Sequence, residues 1–304
     1  MLAMQKNPSV KAMIVGSAGQ DGYYLGRSLL ADGIEAVGIT RSGVLLPWET
    51  AIRPFSMLDP ESVSSLVKEV NPQQIYYLPA YHQSSESTLE NTNVSLKHSI
   101  DIHIMGLTNF LDAMRRWNPN ARLFYAASSH VFGDPVVVPQ NEETPFRPIN
   151  VYGITKVAGI ELCRLYRKQH GLHCSNGILY NHESPRRSPD FVGRKVIKSA
   201  VAIKRGKLEK LKLGDLSARV DWGAAEDTVE AMRAILNLDT ADDFIVASGE
   251  THSVGEFVEF VFNTLKLDAK KYVEVDPKVI NKPSRKRTLV GSSTKLKKAS
   301  GWAP

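Results

Sequence analysis

The sequence has little cysteine and no long hydrophobic run, and both absences narrow the class of protein. Only two of its 304 residues are cysteine, Cys163 and Cys174, and their spacing does not match that of metal ligands. Both fall in apolar patterns typical of small core residues, which suits a reducing cytoplasm. No apolar run is long enough to span a membrane, and the first ten residues lack the apolar segment of a signal peptide. We therefore expect a cytoplasmic protein without a membrane partner.

A strong charge of one sign is also absent. The sequence has 38 Lys and Arg against 32 Asp and Glu, a net charge of +6. This mild excess favours a phosphate-bearing ligand, but it is too diffuse to indicate nucleic-acid binding. Hydrophobic residues make up 42% of the sequence and charged residues 23%, which is typical of a globular protein. The length suits one large domain, or one large and one small domain.

A glycine-rich turn follows the first apolar run, residues 11–15. Gly16, Gly19 and Gly22 have the spacing G-x-x-G-x-x-G, and a helical pattern begins just after them. In such a turn the first glycine permits a tight bend, the second lets the backbone approach phosphate, and the third lets the helix pack on the strand. The helix N-terminus then faces the phosphates. The arrangement predicts a dinucleotide site.

The end of the second predicted strand favours NADP over NAD. Where NAD-binding proteins carry an acidic residue for the ribose 2′-hydroxyl, this sequence has Thr40-Arg41-Ser42. Arg41 is positioned to meet the 2′-phosphate of NADP. The alternatives are that NAD is the cofactor and that Arg41 is a solvated turn residue.

Predicted strands and helices alternate along the chain, which favours a Rossmann-type, doubly wound parallel sheet of the α/β class. The predicted strands cover residues 11–15, 36–39, 74–78, 122–127, 177–180 and 244–248, and helices cover 23–32, 60–70, 94–116, 191–204, 225–237 and 253–267. Ligands bind at the carboxyl ends of such strands, where Gly16, Arg41, Leu78 and Ser128 fall. We predict a nucleotide-binding domain over 1–180 and a smaller, interleaved α/β substrate-binding lobe over 181–304.

A strand-end hydroxyl and a Tyr/Lys pair carry the predicted chemistry. Ser128 follows the strand at 122–127, and a helical pattern opens at Tyr152. Tyr152 and Lys156 are four residues apart and therefore share one helix face. Beside a dinucleotide, these three side chains can move a proton and a hydride on and off a sugar alcohol. Taken alone, a Tyr and a Lys at this spacing are more often exposed and solvated.

A second polar segment follows the strand at 177–180. Asn181 is followed by Pro185 and by two arginines, Arg186 and Arg187. An amide and guanidinium groups after a strand end can hold a phosphate. The alternative interpretation is a surface turn with solvated arginines.

These segments together resemble a known family, the extended short-chain dehydrogenase/reductases that act on nucleotide sugars. Within it, the sequence is most similar to the GDP-mannose 4,6-dehydratases. The matching segments span nearly the whole chain: GSAGQDGYYL at 16–25, EETPFRPINVYGITK at 142–156, NGILYNHESPRR at 176–187, FVGRK at 191–195, RVDWGAAED at 219–227 and GSSTKLKKASGWAP at 291–304.

The resemblance implies a role for individual positions. It implies that Ser128, Tyr152 and Lys156 are catalytic. It implies that the sugar nucleotide is held by Asn181, Arg187, Lys195, Arg219 and Lys282. It implies that the NADP site contains Gly16, Gly19, Gln20, Asp21, Gly22 and Arg41, together with Tyr152 and Lys156 at the nicotinamide end.

Two departures from the family pattern matter for the chemistry. His130 stands where the dehydratases carry a glutamate that removes the proton on sugar C5, so His130 is the candidate acid/base here. Lys282-Pro283-Ser284-Arg285 stands where the family has Arg-Pro-x-Glu, and Arg285 reverses the charge of a ribose-binding residue. The sequence ends at Gly-Trp-Ala-Pro, where members of the family continue into a last helix.

The expected reaction is 4,6-dehydration of GDP-mannose or a related GDP-sugar through a 4-keto intermediate, with Lys156 and the nicotinamide both lowering the pKa of Tyr152. A nucleotide-sugar 4-epimerase or reductase is the alternative, because neither requires a C5 base. A non-catalytic NADP-binding protein is the third hypothesis. A homodimer is expected on family grounds, with a tetramer as the alternative.

Overall fold

A six-stranded parallel sheet forms the centre of the computed structural model, which describes residues 10–40, 55–82, 91–279 and 288–304. Neighbouring strands across the sheet run in the order β2-β1-β3-β4-β5-β10. They are β1 (Lys11–Val15), β2 (Glu35–Ile39), β3 (Gln74–Tyr77), β4 (Arg122–Ser128), β5 (His173–Leu179) and β10 (Asp243–Val246). The chain passes from β1 to β2 and returns across β1 to β3, so the order reverses there. This confirms the predicted Rossmann-type, doubly wound α/β fold.

Helices cover both faces of the sheet, as a parallel sheet requires. The helices are α1 (Gln20–Ala31), α2 (Pro60–Val70), α3 (Thr92–Ile100), α4 (Leu107–Trp117), α5 (Val151–His170), α6 (Val192–Lys204), α7 (Ala225–Asn237), α8 (Val254–Thr264), α9 (Ala269–Tyr272) and α10 (Thr294–Ser300). Side chains alternate between two apolar clusters along each strand, with Met13 and Tyr77 in one cluster and Ile14 and Tyr76 in the other. Within the described residues, no helix is both long and apolar enough to cross a membrane.

The second half of the chain adds three small two-stranded sheets beside the main one. Their strands are β6 (Asn181–Glu183) with β9 (Trp222–Ala224), β7 (Leu211–Leu213) with β12 (Val273–Val275), and β8 (Arg219–Val220) with β11 (His252–Ser253). A third apolar cluster, which includes Val196, Leu213 and Phe262, joins α6, β7 and α8. Strand β10 nevertheless returns to the main sheet. The division at residues 180/181 stays a prediction.

Two elements differ from the sequence expectation. Strand β5 begins at His173 rather than near Gly177, because Ser175 and Asn176 are buried polar residues that interrupt the apolar pattern. Asn176 Nδ2 donates to Asp243 Oδ1 at 2.6 Å, which compensates for its burial. The long helix expected over 94–116 contains a π-helical segment, Asp101–Gly106, between α3 and α4.

Candidate functional site

The glycine-rich turn lies at the point where the strand order reverses. Gly16 has φ +87°, a left-handed conformation that glycine adopts without strain. A Cβ on Gly22 would lie 2.6 Å from the carbonyl oxygen of Gly16, so α1 could not pack this closely with a larger residue there. Helix α1 begins at Gln20 with Gly19 as its N-cap, and among the described residues no side chain caps its first N–H groups.

These features fit a dinucleotide. The N-terminus of α1 presents its backbone N–H groups, together with the helix dipole, at the switch point where such ligands bind. The Ser17 hydroxyl is fully buried beside the turn and has no hydrogen-bond partner within the described part of the chain. Leu78 follows β3 on the other side of the switch point, where its N–H bonds the carbonyl of Val15 at 3.1 Å. Arg41 lies outside the described residues, so the preference for NADP over NAD, which depends on this residue, stays a prediction.

A buried ion pair joins the first turn of α1 to β6. His182 Nδ1 donates to the Tyr180 carbonyl at 2.8 Å, and Nε2 faces Asp21 Oδ1 at 3.0 Å. Both ring nitrogens face acceptors, an arrangement that favours the doubly protonated, cationic ring. Burial alone would lower the pKa of His182, but Asp21 raises it above its ordinary value. Burial alone would raise the pKa of Asp21, but His182 lowers it.

Gln20 reinforces this connection. Its Nε2 donates to the carbonyl of His182 at 3.2 Å, and its Oε1 accepts from the hydroxyl of Ser184 at 2.7 Å. Gln20 and Asp21, two residues predicted for the cofactor site, thus fix the segment that carries the predicted substrate residues Asn181 and Arg187.

Ser128, Tyr152 and Lys156 come together at the carboxyl ends of β4 and β5. Ser128 lies close enough to Tyr152 for its hydroxyl to lower the pKa of the phenol as a polar neighbour. Lys156 is 1% exposed, and its Nζ donates to the carbonyl of Ala126 at 2.6 Å and lies 5.7 Å from the centre of the Tyr152 ring. The structure therefore brings the three predicted catalytic side chains to one place.

The pKa values of Tyr152 and Lys156 differ from the sequence expectation. Burial raises the pKa of Tyr152 to about 12, and the Ser128 hydroxyl and the charge of Arg187 offset only part of that effect. Burial also lowers the pKa of Lys156 to about 7, so this lysine is only partly charged near neutral pH. Lys156 by itself therefore does not turn Tyr152 into a phenolate, because the same burial weakens the charge of the lysine.

His130 is oriented by Asn150, the N-cap of α5. The Asn150 Oδ1 accepts from the backbone N–H of Gly153 at 2.8 Å and so caps α5. Its Nδ2 then points at His130 Nδ1, 3.3 Å away, and an amide NH₂ can only donate. Neutral His130 therefore carries its proton on Nε2, and its ring lies 5.5 Å from that of Tyr152.

Two further histidines border Tyr152 that sequence reasoning missed. The rings of His82 and His103 lie 4.5 Å and 5.4 Å from the Tyr152 ring. His82 follows the end of β3, and its position just beyond a strand end was the available signal. His103 lies in a helical pattern with nothing to distinguish it from a core residue, and the π-helical segment carries it to the site.

The predicted substrate residues are less closely grouped. The Arg187 guanidinium lies 3.9 Å from the Phe191 ring, which stacks on His82 at 5.5 Å, so Arg187 borders the Tyr152 site. Asn181 lies in β6, and Lys195 lies in the first turn of α6. Arg219 instead bonds Thr251 and Glu256 on the exposed surface of β8 and α8. Lys282 lies outside the described residues.

The chain is similar to known proteins over nearly its whole length. Residues 13–304 match the family described as GDP-mannose 4,6 dehydratase. GDP-mannose 4,6 dehydratase 2 of Arabidopsis thaliana is 34% identical over 317 residues, covering 98% of this chain and 83% of the plant protein.

Solved structures agree on the fold. The UDP-glucose 4-epimerase of Thermus thermophilus, in complex with NAD, superposes with a TM-score of 0.80 at 22% identity and covers 97% of this chain and 94% of that one. The protein RMD from Pseudomonas aeruginosa, complexed with NADPH, has a TM-score of 0.80 at 21% identity and the same coverage.

Proposed function

The chain belongs to the GDP-mannose 4,6-dehydratase family, and we propose from this premise that it is an NADP-dependent nucleotide-sugar 4,6-dehydratase. Its substrate is GDP-mannose or a related GDP-sugar, and the reaction passes through a 4-keto sugar. The observation that carries the proposal is the grouping of Ser128 and Tyr152 with the buried Lys156, next to a turn that fits a dinucleotide.

Each side chain has a defined task in this reaction. The Tyr152 phenolate takes the proton from the C4 hydroxyl and becomes the neutral phenol, and the Ser128 hydroxyl holds the C4 oxygen by a hydrogen bond. Gly16 permits the tight turn, Gly19 lets the backbone approach the pyrophosphate, and Gly22 lets α1 pack closely on the turn. The nicotinamide of a dinucleotide held at this turn would supply a hydride acceptor for C4 and a positive charge. The pKa of about 12 for Tyr152 means that a positive charge near the phenol is needed for it to act as a base at neutral pH.

In this proposal, residues of the second half of the chain hold the nucleotide sugar. Arg187 lowers the pKa of Tyr152 through its charge and borders the ring stack of Phe191 and His82, so it is close enough to bind a phosphate next to the reacting sugar. Asn181 and Lys195 lie on the neighbouring β6 and α6, and Arg219 lies farther out, on β8.

One observation favours a second candidate, a nucleotide-sugar 4-epimerase or reductase. The Asn150 amide commits the lone pair of His130 Nδ1, so neutral His130 offers a proton at Nε2 rather than a lone pair. A hydrogen-bond donor beside the 4-keto group is sufficient when no proton leaves C5, whereas dehydration requires a base there.

A single incubation separates these functions. The purified protein is mixed with NADP⁺ and GDP-mannose, and the product is analysed by mass spectrometry and NMR. We expect the loss of one water. An unchanged mass with inverted C4 would establish the epimerase, and no reaction with GDP-mannose or other GDP-sugars would overturn the proposal.

The variant Tyr152→Phe tests the role of the phenol. It lacks the proton acceptor but keeps the ring, so we expect turnover to fall by about 10²–10⁴-fold. His170→Gln, which changes an exposed residue in the last turn of α5, serves as the matched control. Turnover by Tyr152→Phe near the wild-type rate would contradict the assignment of this residue.

A further inference from the structure

The two proposed ligand sites are joined by polar contacts between the first turn of α1 and residues 180–187, which we call the phosphate segment. The turn belongs to the dinucleotide site, and the segment borders the site proposed for the diphosphate of the nucleotide sugar. His182 Nε2 lies 3.0 Å from Asp21 Oδ1. Gln20 Nε2 donates to the carbonyl of His182 at 3.2 Å, and Gln20 Oε1 accepts from the hydroxyl of Ser184 at 2.7 Å. The partners are 161 to 164 residues apart in sequence, so the fold alone brings them together.

Further hydrogen bonds lead from Ser184 to Arg187 within the phosphate segment. The Ser184 hydroxyl accepts from the backbone N–H of Arg186 at 3.1 Å, and the backbone N–H of Arg187 donates to the Ser184 carbonyl at 3.1 Å. The Arg187 guanidinium then lies 3.9 Å from the centre of the Phe191 ring, at the border of the Tyr152 site. The position of this guanidinium therefore depends on how the segment is held against α1.

Asp21 places a negative charge in the first turn of α1, close to the helix N-terminus where the diphosphate of a dinucleotide would bind. Two like charges repel each other more strongly in a buried site than in water. Burial opposes the charges of both partners, yet Asp21 raises the pKa of His182 and His182 lowers that of Asp21, so each stabilises the charge of the other. The charge of Arg187 also lowers the pKa of Asp21. The phosphate segment thus offsets the charge of Asp21 only while it lies against α1.

We propose that the Asp21–His182 pair couples the two ligand sites, so that a dinucleotide at α1 raises the affinity for a diphosphate at Arg187, and the reverse. The proposal rests on the function proposed above, which supplies both ligands. A dinucleotide binds better when His182 is held beside Asp21, and a diphosphate binds better when Arg187 is held beside the Tyr152 site. Because both conditions describe the same arrangement of the phosphate segment, each ligand favours the arrangement that the other needs. His182 is a positioning residue in this scheme, since it acts through Asp21 and through the segment.

The proposed reaction gives this coupling a use. The hydride that leaves C4 has to return to the sugar, so both ligands need to stay bound in the interval. Positive coupling slows the release of either ligand while the other is bound. Linkage also requires that each ligand change the affinity of the other by the same factor, which makes the coupling measurable from both sides.

The coupling factor is measured by calorimetric titration with GDP, which carries the diphosphate but has no sugar to react. The dissociation constant of GDP is determined with NADP-free protein and with protein saturated with NADP⁺, and the ratio of the two constants is the coupling factor. Titrating NADP⁺ with and without GDP checks the reciprocity. We expect a factor of about ten in the wild type. Direct repulsion between the two ligands is present in every variant, so it does not affect the comparison.

Two replacements of His182 differ in whether they can reach Asp21. The amide nitrogen of His182→Gln extends about as far as Nε2 and can donate to Asp21, whereas the shorter amide of His182→Asn takes the place of Nδ1 and faces the Tyr180 carbonyl. We expect His182→Gln to keep a coupling factor of at least about three, and His182→Asn to lower it to within about twofold of one. A residue with a merely structural role would change stability without changing this ratio.

Asp21→Ala tests the other partner of the pair. It leaves no unpaired buried charge, because His182 can become neutral and keep its Nδ1 proton on the Tyr180 carbonyl, so we expect this variant to fold. Its coupling factor should fall as in His182→Asn. Arg233→Met is the matched control, because it removes the ion pair between α7 and Asp32 at the opposite end of α1. It should keep the wild-type coupling factor within about twofold, even where it lowers the melting temperature.

A wild-type coupling factor near one, or the full wild-type factor in both His182→Asn and Asp21→Ala, would overturn the inference. An equal loss in Arg233→Met would overturn it as well, because the effect would then follow stability. If the protein converts GDP-mannose but shows no coupling, this inference alone fails. If the protein binds NADP⁺ but neither binds GDP nor converts a GDP-sugar, the proposed function fails with it.

Discussion

The burial of Lys156 in the site has an electrostatic cost. Its Nζ is buried under the Tyr125 and Tyr152 rings and has the Ala126 carbonyl as an acceptor. Burial lowers its pKa from 10.5 to about 7, which means that the folded protein disfavours the charged form. The burial of Lys156 therefore lowers the stability of the folded protein at neutral pH, and its proposed role is in the chemistry at Tyr152.

Lys156→Met should therefore stabilise the protein in a pH-dependent way. Between pH 7 and 10.5 the unfolded chain binds a proton that the folded wild type does not, so wild-type stability rises with pH across this window. The free energy of unfolding should be higher in Lys156→Met than in the wild type by up to about 4 kcal/mol at pH 6, and the gain should shrink toward pH 10. Urea unfolding at each pH measures it.

The exposed Lys168 on the same helix provides the control. Lys168→Met should change the free energy of unfolding by no more than about 0.5 kcal/mol at any of these pH values. A Lys156→Met gain that does not depend on pH would show that the lysine is charged throughout the range.

At the scale of elements, the N-termini of the two long helices of the site are used differently. Helix α1 begins at Gln20 after the N-cap Gly19, and no side chain of the described residues caps its first N–H groups. Helix α5 is capped by Asn150, which also sets the tautomer of His130. Asn150 thus stabilises α5 and also determines which nitrogen of His130 carries the proton.

Asn150→Asp should separate these two roles. Aspartate also caps a helix, but its second oxygen accepts where the amide donates. We expect the cap to remain and the proton of His130 to move from Nε2 to Nδ1, which ¹⁵N chemical shifts of the imidazole would report. Asn150→Ala should instead lose about 1 kcal/mol of stability. An unchanged His130 tautomer in Asn150→Asp would contradict the assignment.

Local sequence patterns predicted some elements better than others. The bounds of α2 (Pro60–Val70) and α7 (Ala225–Asn237) agree with the sequence expectation, because each has a clear apolar periodicity, and α2 also has an N-cap, Asp59. The start of β5 and the π-helical segment were missed. Both depend on partners distant in sequence: Asp243 for Asn176, and the Tyr77 hydroxyl for the Ile102 carbonyl at 2.5 Å.

At the scale of the molecule, the apolar residues form two clusters on the main sheet and a third around α6 and α8. The glycine-rich turn belongs to the sheet, whereas Lys195 and Arg219 lie on elements that border the third cluster. A substitution that disrupts packing in the third cluster should therefore change the affinities for the nucleotide sugar and for NADP unequally.

Phe262→Ala tests this expectation, because Phe262 is fully buried in the third cluster. The cavity should cost about 3–5 kcal/mol. Below the unfolding temperature, we expect a larger loss of affinity for GDP than for NADP⁺, measured by calorimetric titration. Phe110→Ala, equally buried in a sheet cluster, is the matched variant and should not show this preference. Equal losses for both ligands in Phe262→Ala would contradict the predicted division.

The sequence by itself determined the alternation of strands and helices along the chain, the glycine-rich turn, and the three candidate catalytic residues Ser128, Tyr152 and Lys156. These follow from periodicity, from glycine geometry and from a spacing of four residues, all of which are local. Only the tertiary structure decided what surrounds Tyr152. Residues 82, 103, 130 and 150 meet there from separate elements. The positions of the protons on the His103 and His130 rings are set by hydrogen bonds that exist only once the chain is folded. The pKa values of Tyr152 and Lys156 are likewise set by burial in the folded protein.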